Sequence, residues 1–310
     1  MLNFKYKPKP FVKWAGGKSS LLAEIERCLP QGFDKRKNVT YVEPFVGGGA
    51  VLFWLLRQYR NNIERVVIND INQDLICTYR AVRNTPWKLL EMLAGIQNEY
   101  LAGNDEQRKE YYLAKRDAFN TRTKGSDTET AALFIFLNKT CFNGLYRVNS
   151  QGKFNVPHGK YKNPLICDSP AILQDSQLLQ EVEILCGDFA ETLKFAGDNT
   201  LFYFDPPYKP LSATSSFTAY NKENFDDAEQ LRLRDFVAKI SKAGSDFILS
   251  NSDVKAHNPK NDFFDHIYSQ FDIKRVEAPR FINSVATGRG KLSELIITNI
   301  QNAQIYGTEF

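Results

Sequence analysis

The sequence is poor in residues that staple, ligate or anchor a protein. Among 310 residues there are 5 cysteines and 3 histidines. The cysteines (28, 77, 141, 167 and 186) are odd in number and show no Cys-x-x-Cys spacing. That excludes a disulfide framework and gives no zinc signature, so no metal is expected, and reduced thiols in a cytoplasm are. Long apolar runs are missing too. The longest, Ala131–Leu137, is far short of the roughly 20 residues that a spanning helix needs. The N-terminal MLNFKYKPKPF has lysines but no apolar core segment, so neither a secretory signal nor a membrane partner is expected. Low-complexity tracts and internal repeats are absent. With 43% hydrophobic and 13% aromatic residues, the chain can bury one large α/β domain and a smaller one without covalent staples.

Acidic residues are locally missing. Net charge is only +4, but residues 1–23 hold Lys5, Lys7, Lys9, Lys13 and Lys18 with no acid. Residues 130–167 hold Lys139, Arg147, Lys153, Lys160 and Lys162, again with no acid. Two acid-free basic stretches in a balanced chain suit a polyanionic partner, and equally a solvated basic surface. The N-terminal lysines fit a mobile tail or a phosphate-contacting arm.

Six apolar runs have strand length: 40–45, 64–70, 182–189, 200–207, 245–252 and 292–299. Each is bounded by Gly, Asp, Asn or Pro, with helix-like segments between most of them. The expected class is α/β, with a mostly parallel sheet covered on both faces. Residues 81–168 break the rhythm with several helices and a basic Gly/Asn/Pro-rich segment. In it, NSQGK reads as the turn of a hairpin between LYRV and FNV. They are expected to form an inserted, mainly helical subdomain ending in a basic hairpin, with 1–80 and 169–310 together forming the larger domain.

Two nucleotide patterns fail. GGKSS at 16–20 is the tail of a P-loop, but Val12 stands where the leading glycine belongs. Gly47 and Gly49 begin a dinucleotide fingerprint, but Leu52 stands at the third glycine. What remains is a strand running into three glycines and an apolar helix, with Asp70 ending the next strand 21 residues after Gly49. A carboxylate there can accept two ribose hydroxyls. A ribose acid without a diphosphate grip suits a nucleoside-like cofactor such as S-adenosylmethionine. The same residues also fit a tight strand-to-helix turn with Asp70 as a helix cap.

Asp205-Pro206-Pro207-Tyr208 follows the apolar run LFYF. Two prolines fix φ and remove two N–H donors. A carboxylate, a rigid carbonyl and an aromatic face then lie within four residues at a strand end. Asp205 and the Pro206 carbonyl can accept hydrogen bonds from an exocyclic amine while Tyr208 stacks on its base. Positioning and electrostatics would then drive direct methyl displacement, with no covalent enzyme intermediate.

Motifs in order carry a resemblance. They are FVKWAGGKSSLL (11–22), YVEPFVGGGAVLF (41–53), INDIN (68–72), FNGLYRVNSQGKFNVPHGKYKNP (142–164), GDF (187–189), FDPPYKPLSATSSFTAY (204–220), LSNS (249–252) and GRGKLSELIITN (288–299). Over about residues 10–300 the chain resembles the Dam-type, alpha-class DNA adenine methyltransferases, in particular their DpnII-methylase-like branch. The resemblance implies a Rossmann-like methyltransferase fold and adenine N6 methylation from S-adenosylmethionine at GATC in double-stranded DNA. It implies cofactor contacts from Trp14, Lys18, Phe45, Gly47, Asp70 and Asp205, with Asp188 and Phe189 flanking the cofactor's adenine. Asp205, Pro206, Pro207 and Tyr208 would hold the target base. Lys13 would contact a base and Arg147 would read a guanine in the major groove. Phe142 and Asn143 would intrude where the flipped adenine leaves the stack, and Leu145, Pro157 and Tyr161 would complete the reading hairpin. Without the motif around them, Arg147 reads as a surface arginine and Phe142 as a core anchor. His158 and Lys160 depart from the family's aromatic and arginine, and His158 reads as a packing residue. The expected protein is a monomeric, cytoplasmic, nucleoid-associated enzyme of bacterial type. The alternatives are a cytosine N4 methyltransferase, an RNA-directed enzyme, and a DNA-binding protein with an inactive cofactor pocket.

Overall fold

The computed structural model describes residues 9–14, 16–122, 126–209, 225–279 and 291–301. Lys5 and Lys7, most of the segment after Tyr208, residues 288–290 and the C-terminal 302–310 lie outside the described residues. Seven strands form one sheet: β1 Val39–Glu43, β2 Ile63–Asp70, β3 Val182–Cys186, β4 Thr200–Phe204, β5 Asp246–Ser252, β6 Asp272–Pro279 and β7 Lys291–Thr298. Their order is β3-β2-β1-β4-β5-β7-β6. β1 to β5 run parallel, and β7 is antiparallel to both β5 and β6.

Alternation along the strands sorts side chains into two apolar layers. Tyr41, Val66, Leu201 and Tyr203 face one layer, and Val42, Val67, Phe202 and Phe204 face the other. With both faces covered, the parallel strands read as continuous apolar runs, which is why they stood out in sequence. β6, DIKRVEAP, did not. It is an edge strand paired only with β7, and it alternates charged with apolar residues. The runs at 182–189 and 200–207 end earlier than expected, at Cys186 and Phe204, where the chain turns into the site.

The helices among the described residues are α1 Leu22–Arg27, α2 Ala50–Tyr59, α3 Gln73–Asn84, α4 Pro86–Ala102, α5 Asp105–Thr121, α6 Asp127–Thr140, α7 Ser169–Leu179, α8 Asp227–Lys242, α9 Val254–His257 and α10 Phe263–Ile267. α8 and α10 cover the second layer, while α2, α3 and α7 cover the first. The helical insertion shares that first layer: Phe134, Phe136 and Phe154 belong to the same buried cluster as Phe11, Phe53 and Tyr79. The division after residue 80 falls inside α3. The hairpin turn forms as expected. Val148 bridges Phe154 antiparallel, and the Asn149 side chain accepts from the Gln151 and Lys153 amides at 2.9 and 3.0 Å.

Candidate active site and nucleic-acid interface

In an open parallel sheet, ligands bind beyond the strands' carboxyl ends where the strand order reverses. Here β1 and β4 meet at that reversal, so the glycine turn after β1 and the DPPY segment after β4 are neighbours. Asp70 ends the adjoining β2. Its Oδ2 accepts from the Gly47 amide at 3.0 Å and its Oδ1 from the Asn72 amide at 2.9 Å. Burial raises its pKa above the ordinary carboxylate value, and these two donors oppose the rise. Gly47 adopts a left-handed φ of 49°, and a Cβ there would stand 2.8 Å from Trp14 Cδ1. Glycine lets the indole lie directly on the turn. The other side of Trp14 meets the insertion, stacking on Tyr146 with ring centroids 5.8 Å apart.

Lys18 reaches the DPPY segment. Its Nζ lies 2.8 Å from Asp205 Oδ1 and 4.5 Å from the centre of the Tyr208 ring, and it also donates to the Gly16 carbonyl. Its side chain is only 4% exposed, against 23% for Asp205. Burial pushes the Asp205 carboxyl up, and the Lys18 ammonium pulls it back. Tyr208 donates its hydroxyl to Glu294 of β7 at 2.6 Å. Burial, then Asp205 and Glu294, hold the phenol well above its ordinary value. Pro206 is buried and Pro207 exposed. Gln230 of α8 donates to the Pro207 carbonyl at 3.2 Å and accepts from Asn251 of β5 at 3.1 Å. The clamp is thus braced by β7 and α8 as well as by its prolines.

Asp188 and Phe189 sit beyond β3. Asp188 takes two hydrogen bonds from Arg232, at 2.8 and 2.7 Å, which lower its pKa. The same guanidinium lies 4.1 Å from the centre of the Phe189 ring. Phe189 is buried in the second layer beside Phe45, with centroids 5.3 Å apart.

The hairpin residues also converge. The exposed Lys13 places Nζ 4.5 Å over the Tyr161 ring. The Phe142 amide donates to the Pro157 carbonyl at 2.8 Å, and the Leu145 amide to the Phe142 carbonyl at 3.3 Å. Phe142 is 52% exposed, so it is not a core anchor. Asn143 beside it has φ 56°. Arg147 stands further along the arm, where Asn155 accepts from its Nε at 2.7 Å and orients the guanidinium. His158 is a packing residue, its Nε2 2.7 Å from the Tyr100 hydroxyl and its ring beside Tyr112. Lys9 pairs with Asp168 at 2.9 Å.

Sequence reasoning missed Asn138, Gln230, Arg232 and Glu294 as supports of these groups. Only Asn138 left a sign, a polar residue ending an apolar run on α6. Among the described residues no cluster has the make-up of a metal site, and no helix is long and apolar enough to cross a membrane.

The strand order, the reversed β7 and the site at the β1/β4 reversal define a Rossmann-like methyltransferase. The profile of the D12 class N6 adenine-specific DNA methyltransferases matches residues 14–282, and the chain belongs to that family. It is 47% identical to the type II methyltransferase M.MjaIII of Methanocaldococcus jannaschii, over 94% of this chain and 99% of the relative. It is 40% identical to the type II methyltransferase M1.LlaDCHI of Lactococcus lactis subsp. cremoris, over 95% and 96%. The DNA adenine methylase of Haemophilus influenzae is 36% identical over 95% of each chain. The enzyme is an adenine-specific DNA methyltransferase, and the cytosine alternative falls with that assignment.

Proposed function

We propose that this enzyme moves a methyl group from S-adenosylmethionine to N6 of an adenine swung out of duplex DNA, at GATC. One observation carries the chemistry. An N–H donor, the Lys18 ammonium, already sits on Asp205 and over the face of Tyr208. Those are the acceptor and the stacking surface that an exocyclic amine on a planar base requires.

The residues present fit the cofactor. The Gly47 and Asn72 amides hold opposite oxygens of Asp70, and a carboxylate so held can still accept from ribose hydroxyls. Asp205 already accepts an ammonium, as a methionine amine would need. Trp14, Lys18, Phe45 and Gly47 would contact the cofactor, and Asp188 with Phe189 would flank its adenine. S-adenosylmethionine supplies a methyl on a positively charged sulfur. Asp205 and the Pro206 carbonyl accept from the target amine and localise its lone pair on nitrogen, while Tyr208 holds the ring plane. The DPPY segment is preorganised, so little reorganisation is spent at the moment of transfer.

Extruding the base costs a few kcal/mol. Phe142 and Asn143, exposed at the tip of their turn, fill the gap, and Lys13, Arg147, Leu145, Pro157 and Tyr161 read the flanking pairs. Residues 81–168 serve as the target-recognition subdomain. The type II names of two relatives favour a restriction–modification partner. The enzyme acts as a monomer, in the cytoplasm, on the nucleoid.

Incubation with labelled cofactor and duplex DNA, followed by sequencing of modified sites and product nucleoside analysis, tests this directly. N6-methyladenine confined to GATC is expected. A different site, N4-methylcytosine, or a preference for RNA would overturn it.

A further inference from the structure

We infer that Asn138 is a positioning residue that fastens the base-reading lysine to the turn entering the duplex, so that reading and base extrusion occur as one motion. The inference rests on Lys13 and Phe142–Asn143 being DNA contacts, as proposed above.

Asn138 lies in the last turn of α6 and is 3% exposed. Its Oδ1 accepts from the Lys13 amide at 2.7 Å. Its Nδ2 donates to the Lys13 carbonyl at 2.8 Å and to the Gly144 carbonyl at 3.0 Å. One buried amide therefore uses both donors and one acceptor position on two segments that lie far apart in sequence. It spans the two elements assigned to the DNA.

A second contact binds the same pair. Gly144 has φ 64°, and a Cβ there would come within 2.7 Å of Lys13 Cβ and 2.5 Å of Lys13 Cδ. The turn and the segment carrying Lys13 touch with no slack. Phe142 and Asn143 immediately precede this joint, and Phe142 is exposed. On the other side, Lys13 leads directly to Trp14 on the Gly47 turn and, four residues on, to Lys18 on Asp205. A shift of the turn as it enters the duplex is carried through Asn138 to Lys13, and a misplaced Lys13 holds the turn back. A wrong base at the Lys13 position therefore impairs extrusion as well as binding.

The test uses the full-length enzyme and three variants. Asn138→Asp keeps the shape and the acceptor for the Lys13 amide, and removes both donors. Gly144→Ala leaves Asn138 intact and disturbs the joint from the other side. Lys13→Ala removes the reader itself. Each is assayed for kcat/KM on cognate and single-base-changed duplexes, for fluorescence of 2-aminopurine at the target position, and for cofactor affinity by calorimetry. Asn138→Asp is expected to cut the cognate preference by roughly 10- to 100-fold, about tenfold for each of the two buried hydrogen bonds unmade. The fluorescence gain on binding should fall with it, and cofactor affinity should stay unchanged. Gly144→Ala should move the same two readouts in the same direction. Unchanged preference and fluorescence in both variants would overturn the inference. So would equal losses on cognate and changed sites together with lost cofactor affinity, the mark of a merely structural role. If Lys13→Ala leaves the preference intact, the assignment of Lys13 falls and the coupling falls with it. If Lys13→Ala abolishes the preference and the other two variants do not, only the coupling fails.

Discussion

Asp205→Asn changes the charge of the clamp and almost nothing else. The amide keeps the side chain's shape, and its oxygen still accepts. The negative charge 2.8 Å from Lys18 is lost. Lys18, 4% exposed, is left with the Gly16 carbonyl and the Tyr208 ring. Breaking a buried pair costs about 3–5 kcal/mol, and since water reaches the 23% exposed Asp205, the lower end applies. For the reaction, a charged acceptor contributes about 1.5–3 kcal/mol, so single-turnover methylation should slow roughly 10- to 150-fold. Duplex affinity should largely hold, because Asp205 meets only the extruded base and is not among the groups assigned to the backbone or the flanking pairs. The pH profile gives a second readout. The ionised Asp205 is the stronger acceptor, and burial raises its pKa above the usual 3.8. The parent should therefore lose rate on acidification at a higher pH than an ordinary carboxylate would dictate, and the variant should lack that limb. Stability has the opposite slope. The native state binds the proton more tightly than the unfolded chain, so stability declines as pH rises through the window above 3.8. A variant that turns over like the parent, or keeps the same acid limb, would refute the role given to Asp205.

Gly47→Ala forces a side chain onto a left-handed residue whose Cβ would stand 2.8 Å from Trp14. Strain of about 1–2 kcal/mol should weaken cofactor binding roughly tenfold, and an unchanged calorimetric Kd would count against the turn as cofactor contact. Arg147→Ala should cost about 1–3 kcal/mol of discrimination at one guanine. Competition between cognate and singly changed duplexes reads it, and an unaltered ratio removes Arg147 from the readers. Asp175 of α7 is fully buried, with neither carboxyl oxygen hydrogen-bonded. Asp175→Leu should therefore stabilise the fold by about 1–3 kcal/mol in thermal or denaturant unfolding. Because burial holds the Asp175 pKa well above 3.8, the gain should grow as pH rises through that range, and a lower Tm would refute the account.

What the sequence exposed was local. The glycine turn, Asp70 and DPPY are each written in a few consecutive residues, and the parallel strands are marked by unbroken apolar runs. β6 was hidden because an edge strand has no need of such a run. The site's supports were hidden because they are long-range. Lys18 meets Asp205 across 187 residues of chain, and Asn138 meets Lys13 across 125. Arg232 meets Asp188 across 44 residues. Only the resemblance pointed to Lys18, and it gave no hint that the ammonium would lie on the face of Tyr208. His158 shows the reverse case: bland in sequence, it proved to be held by Tyr100 in a slot lined with aromatics.

Charge explains why three acids can share this crevice. Glu43 ends β1, Asp70 ends β2 and Asp205 follows β4, all at neighbouring strand ends. Three charges shielded from water would repel strongly. Glu43 is 2% exposed, and burial, with Asp205 and Asp70 adding to it, pushes its carboxyl well above the usual range. It accepts from the Tyr41 hydroxyl at 2.7 Å, a bond that opposes the rise. Backbone donors oppose the rise at Asp70 and Lys18 opposes it at Asp205, so each has its own compensation.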